Sequence, residues 1–380
     1  MHVRLCFATI LVLMISFAWL ALAQQSFQTG AFMPDRDKAG LRGPVKTMRD
    51  EQTLSGAEGQ QLLPTTTTEY TPDGRILEIR MGNPDGSEWL TSYTYHSDGR
   101  LLKTLSGRVG SAPSSETTYL YDEARRLVEV KSGDKDQIRY QYDDKGRKSV
   151  IESYDSKPLP PNTGYAAHWE GSDLGFGPYP GGTLTTLYNE QDVATGAQLY
   201  DGQGRLVAHI LRKFDVKGRI IAEEQVADAP DLMIPEQLRS TLNPEQAKAM
   251  GAFVAGGLHN RGISYSYDAE GHVRERRKSG GAFGEEVTVT TYNDHGDKAS
   301  ERTTTIMNPE VGREYGLTEA GAMIPVGQAQ PAQPPATYET QYTYHYDGYG
   351  NWTEQTTLAR FRPDAAFGPG SIRRRNLTYY

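Results

Sequence analysis

The sequence is short of the groups on which most catalytic and metal chemistry depends. Its one cysteine, Cys6, falls in the N-terminal apolar stretch. The rest of the chain therefore has no disulfide, no thiol nucleophile and no Cys-ligated zinc. It has no Gly-x-Ser-x-Gly elbow, His-Glu-x-x-His helix or Gly-x-x-x-x-Gly-Lys-Ser/Thr loop. The histidines beyond the leader (His96, His168, His209, His259, His272, His295 and His345) are scattered, without the convergence that zinc requires. Glu223-Glu224 and Glu285-Glu286 read as strand charge rather than glycosidase carboxylates. Asn293-Asp-His-Gly-Asp297 lacks the spaced oxygen ligands of a calcium loop. The expectation is a protein that is not an enzyme and carries no cofactor or metal.

Long runs of one sign are also missing, and 48 acidic against 40 basic residues give a net charge of -8. That balance argues against nucleic acid as a partner. After Leu5 to Leu20 no second apolar run reaches membrane length, so no membrane span is expected once the leader is gone. Arg4, the apolar run and Ala21-Leu22-Ala23 before Gln24 predict a signal peptide over 1–23. A polar leader follows at 24–39, and 40–380 is read as one β domain. Export without disulfides points to a bacterial secreted or periplasmic location, at the cell envelope.

Glycine and tyrosine are what the chain has in quantity: 40 Gly, and 23 Tyr against 10 Phe. They recur in register as an aromatic anchor, a glycine four residues on, and usually a basic residue five on. The copies are Tyr70/Gly74, Tyr95/Gly99, Tyr142/Gly146, Tyr200/Gly204, Phe214/Gly218, Tyr267/Gly271, Tyr292/Gly296 and Tyr346/Gly350. Tyr121 has Arg125 in the glycine slot, which predicts a turn of a different type or a distorted one. Steps of about 25 residues fit two strands, a tight turn and a return loop. Asp or Asn after the anchor can accept turn amides, and glycine supplies the positive φ of a bulged hairpin. An apolar residue six after the anchor can pair with it across the hairpin.

Three wider gaps hold insertions at about 157–182, 228–257 and 307–337. The second reads as one short helical region near 235–256, with Asn243 as cap, Pro244 at the first helical position and Gly256-Gly257 at its end. The fold predicted is all-β: a repeat-built antiparallel sheet of stacked β-hairpins, spiral or partly closed.

Tyr140-Gln-Tyr-Asp-Asp-Lys-Gly-Arg147 and Tyr200-Asp-Gly-Gln-Gly-Arg-Leu206 resemble the YD repeats, also called RHS (rearrangement-hotspot) repeats. The resemblance covers about residues 62–360. It implies hairpins added side by side into a spiralling sheet, which in large members encloses a shell. Asn308-Pro-Glu-Val-Gly-Arg-Glu-Tyr315 lacks the Asp and Phe of the family's toxin core. The expectation is a small stand-alone member that binds a glycan or protein. The alternative is a shell or accessory piece of a secreted toxin or effector system. The first insertion carries the candidate ligand-binding residues His168, Trp169, Phe176 and Tyr179.

Overall fold

The computed structural model describes residues 34–56, 59–133, 135–153, 165–169, 171–179, 182–201, 203–234, 236–258, 260–280, 284–309 and 315–380, apart from 319, 321, 327, 329, 330 and 332. The predicted signal peptide lies outside the described residues. Contacts divide the chain into two units. One comprises Tyr140–Val289 with Thr303–Ala336, and the other Thr29–Arg139 with Thr290–Arg302 and Thr337–Tyr380. The chain is all-β with a helical insertion, as the hairpin repeats predict.

Every repeat turn is built alike. In the Tyr95 copy, His96 N–H donates to the Arg100 carbonyl (2.8 Å) and Gly99 N–H to the His96 carbonyl (2.9 Å). The register shifts just before the anchor, so Tyr95 faces Leu101. The same offset sets Tyr70 against Ile76, Tyr200 against Leu206, Phe214 against Ile220, Tyr267 against Val273 and Tyr346 against Trp352. This is the predicted pairing of the anchor with the apolar residue six positions on. Tyr142 and Tyr292 likewise end their strands at the turn.

The glycine slot follows the same rule through the chain. Gly74, Gly99, Gly146, Gly204, Gly218, Gly271, Gly296 and Gly350 all have positive φ, between 76° and 98°. Each donates its N–H to the carbonyl of the residue after its anchor. Their surroundings differ, however. At Gly74 a Cβ would collide with Pro34, so space as well as φ excludes a side chain, whereas at Gly99 and Gly350 it would meet only the ends of the Arg75 and Arg42 side chains, which can shift. At Gly204, Gly218 and Gly271 a Cβ would meet nothing within 4 Å, and φ alone favours glycine.

The prediction for Arg125 is corrected too. Arg125 takes the glycine conformation (φ 66°) and keeps the same bonds, Arg125 N–H to Asp122 and Asp122 N–H to Arg126. The hairpin ladder on either side outweighs the left-handed penalty, roughly 1–2 kcal/mol for a residue with a Cβ. Replacing Arg125 by Gly should therefore raise stability by about 1 kcal/mol in urea unfolding.

In the second unit, cross-strand registers fix two contrasting faces. One carries Thr68, Thr91, Tyr93, Thr104, Ser106, Thr117 and Tyr119. The other carries Glu69, Glu78, Arg80, Lys103, Glu116 and Glu129. Neither is an apolar face, which accounts for the low hydrophobic content. The buried apolar cluster of this unit is small: Leu41, Val45 and Tyr70, flanked by Met48, Ile76, Leu377 and Tyr379. It lies where strand Val45–Gly56 pairs with strand Gly368–Tyr379. The first and last sheet strands are thus neighbours; of the expected spiral or partly closed sheet, this corrects the spiral.

The first unit has the larger core. Leu184, Leu199, Ala197, Ala208, Ile210 and Ile263 form it with Trp169 and Leu174 from the first insertion. Its strands also show a repeat that the spacing hides. Tyr188 precedes a turn in which Asn189 accepts the Gln191 and Val193 amides, and Asp192 takes the positive-φ slot (φ 61°). The strands 182–188, 194–200, 206–214 and 220–227 then alternate without long loops, so the Tyr200 turn points to the opposite end of the sheet from its neighbours.

The helical insertion forms Glu236–Arg239 and Pro244–Leu258. Asn243 and Gln246 cap the longer helix reciprocally: Gln246 N–H donates to Asn243 Oδ1 (2.9 Å) and Asn243 N–H to Gln246 Oε1 (3.1 Å). The helix runs through Gly256-Gly257 rather than stopping there. Gly251 is required, because a Cβ there would overlap the Pro230 carbonyl oxygen. No helix among the described residues is long and apolar enough to cross a membrane. The third insertion contains a small hairpin, Tyr315–Leu317 with Met323–Pro325.

Candidate functional site

The repeat turns hold much of the polar chemistry of the chain. Asp143 Oδ1 accepts the Lys145 and Arg147 amides (3.0 and 2.9 Å), and Arg147 Nε donates to Oδ2 (2.6 Å). Asp122, Asp201 and Asp215 hold Arg126, Arg205 and Arg219 in the same way. The Arg147 hydrogen bond, against a smaller opposing effect of desolvation, keeps the Asp143 carboxyl below the ordinary carboxylate range.

The basic residue has a second role that the sequence reading missed. Its guanidinium lies over the anchor ring of the adjoining hairpin: Arg75 over Tyr95 at 5.6 Å, Arg100 over Tyr121 at 4.6 Å, Arg147 over Tyr188 and Arg219 over Tyr267 at 4.3 Å. Each ring's hydroxyl donates to the backbone carbonyl next to that arginine. Tyr95 bonds Ile76, Tyr121 Leu101, Tyr188 Lys148 and Tyr267 Ile220, at 2.6–2.8 Å. Tyrosine is therefore needed as anchor where a clasp forms, since phenylalanine lacks the donor. Each clasp combines a cation–π contact and a hydrogen bond, each worth about 1 kcal/mol. Through these contacts the Tyr, Asp and Arg of the turns join hairpins to one another.

These phenols make the fold sensitive to alkali. Burial pushes the Tyr70 and Tyr93 hydroxyls up to about 12. Burial, then the Asp297 bond, pushes Tyr346 up to about 12. A raised phenol favours the folded, neutral form, so its contribution is complete below about pH 10. It is lost as the pH rises through the folded values. Tyrosinate absorbance and loss of circular dichroism should therefore rise together between about pH 10 and 12. Titration near the free value with the fold intact would show the phenols to be solvated.

What interrupts the repeats is different. Strands Tyr165–His168 and Gly175–Tyr179 pair, with Tyr165 opposite Tyr179 and His168 opposite Gly175. The backbone thus brings His168, Phe176 and Tyr179 onto one small hairpin; their side chains lie outside the described residues. Trp169 is corrected as a ligand platform. It is 3% exposed, and the Arg212 guanidinium lies 3.6 Å from its ring centroid. The reason is a buried charge pair beneath it. Arg212 Nε donates to Glu223 Oε1 (2.8 Å), and Glu223 Oε2 accepts the Asp173 amide (3.2 Å).

From there a polar row continues across the sheet. The Tyr265 hydroxyl donates to Asp173 Oδ2 (2.9 Å), and Arg276 lies 3.6 Å from the same carboxylate. Burial and then the Asp173 charge push the Tyr265 phenol well up. Trp169 and Asp173 anchor the insertion at this row. Arg212 gave no sequence signal and Glu223 read only as strand charge, because each occupies an ordinary strand position and they meet only through cross-strand register.

Comparison with known proteins gives no family: no family model matches the chain, and no curated protein matches it. Several solved structures show similarity. TcdB2-TccC3-TEV is 13% identical with a TM-score of 0.33, over 85% of this chain and 16% of that one. TcdB2-TccC3 without its hypervariable C-terminal region is 13% identical with a TM-score of 0.29, over 85% and 16%. A porin-like protein from Bacteroides uniformis is 10% identical with a TM-score of 0.28, over 89% and 98%. The chain spans 16% of the length of TcdB2-TccC3-TEV. The functional reading rests on the chain's own residues.

Proposed function

We propose that the chain is an exported, non-catalytic YD-repeat scaffold that binds a glycan or a protein at the bacterial cell envelope, through what interrupts its repeats. One observation carries the reading: the Asp, Arg and Tyr of the repeat turns are engaged with one another, turn after turn. We place binding on the hairpin of the first insertion, which holds the buried Trp169 between its strands and carries Phe176 and Tyr179 in its sequence. Aromatic rings on an anchored hairpin suit stacking on sugar rings or peptide segments.

The test is fractionation of the producing cell, followed by pull-down with the mature chain. The expected result is recovery outside the cytoplasm, with a glycan or envelope protein retained. Phe176→Ala with Tyr179→Ala should abolish retention while circular dichroism stays unchanged. Recovery from the cytoplasm would overturn the export reading. Co-purification with a toxin-type effector that the double variant still holds would replace this reading with an accessory role.

A further inference from the structure

Exposed apolar side chains in the second unit are more numerous at the rim away from the repeat turns. Met81 and Trp89 are direct cross-strand partners, and Val109 follows the residue that pairs with Trp89. Leu62 lies opposite Thr53 at the same end. The Tyr338 ring is 5.1 Å from that of Phe361, which is 77% exposed. All six lie at strand ends remote from the repeat turns, so they share one level along the strands. The result is a band rather than a compact patch. At the turn rim, Leu77, Leu120, Tyr349 and Tyr380 are exposed among Asp and Arg residues that recur copy after copy.

Band geometry and residue type select the occupant. Trp, Tyr and Phe at one height, with Leu, Met and Val between them, are side chains that partition into the headgroup and acyl boundary of a bilayer. Charges between them nearly balance: Asp85, Glu88, Glu339 and Asp364 against Arg108, Arg360 and Arg362. With the chain at -8, that complements a zwitterionic surface and not an anionic one. Depth is limited by the Glu69, Glu78, Arg80 and Lys103 face, which lacks the apolar band that spanning requires. We propose that this rim docks reversibly on a zwitterionic lipid surface. The proposal stands apart from the glycan or protein reading.

The test uses the mature chain and phosphatidylcholine vesicles. Co-sedimentation is expected, with a blue shift of tryptophan fluorescence. Trp89, at 38% exposure, reports it, because Trp169 is buried already and Trp352 is covered by Arg373 and Arg375. Trp89→Ser with Phe361→Ser should weaken partition by roughly tenfold or more. Val216→Ser, at an exposed valine on a repeat turn of the other unit, should leave it unchanged. Trp89→Phe should bind and lose the shift. Both substituted rings are exposed, so the fold should persist, which circular dichroism checks. Absence of sedimentation, or equal sedimentation by the double variant, overturns the proposal. So does a dimer of the mature chain that the double variant converts to monomer, which would make the rim a contact between copies.

Discussion

Replacing Glu223 with Ala should destabilise the chain by about 3–5 kcal/mol in urea unfolding. The side chains of Arg212 and Glu223 are 7% and 1% exposed. Removing the carboxylate takes away the acceptor of Arg212 Nε beside the Trp169 ring, and deprives the Asp173 amide of its acceptor. A missing partner of a buried pair costs far more than the pair contributes net, because the remaining charge stays desolvated. Removing both charges in Arg212→Met/Glu223→Leu should therefore recover a large part of the loss. A single-variant loss under about 1 kcal/mol would place the pair among solvated ones. Because Trp169 rests on Arg212, Glu223→Ala should also loosen the insertion, read as faster proteolysis between Trp169 and Tyr179.

The second large effect lies at the seam between the first and last strands. Asp50 accepts both Nε and Nη2 of Arg373 (2.7 and 2.6 Å) and Nε of Arg375 (3.4 Å). Arg375 lies 3.5 Å from the Trp352 ring centroid, and burial, then repulsion by Arg373, pulls its pKa below the ordinary arginine value. Asp50→Ala leaves two guanidiniums facing each other without a counter-charge. The expected cost is again about 3–5 kcal/mol. Arg374→Ala, on the opposite face of the same strand, should cost no more than about 1 kcal/mol, since its pair with Glu354 is exposed. Equal effects from the two variants would show that the seam derives its strength from backbone pairing alone.

The hairpin grammar was readable in the sequence because it is local. Anchor, turn acceptor, glycine and paired apolar residue lie within seven positions, and local hydrogen bonds impose them. What joins one hairpin to the next was not readable. The arginine five after each anchor looks like a solvated turn residue until register sets it over the adjoining tyrosine. Tyr188 went unnoticed because Asp192 stands in its glycine slot and Val193 in its basic slot. Arg125 shows the same tolerance: turn chemistry sets the preference, and a long ladder on both sides overrides it. Nor could the sequence separate the open slot at Gly204 from the filled one at Gly74, because Pro34 reaches Gly74 from a distant part of the chain. Trp169 misled for another reason. Aromatics in a Pro/Gly-rich insertion suggest an exposed platform, and only the sheet shows the buried Arg–Glu pair that this ring covers.

The repeat side chains join one hairpin to the next. A double-mutant cycle on Arg219→Met and Tyr267→Leu measures that directly, since guanidinium and ring are 4.3 Å apart and the hydroxyl bonds the Ile220 carbonyl. The account predicts a coupling of about 0.5–2 kcal/mol in urea unfolding. Additivity within about 0.3 kcal/mol would contradict it, and would return the Tyr and Arg of the repeats to the set of residues free to bind a ligand.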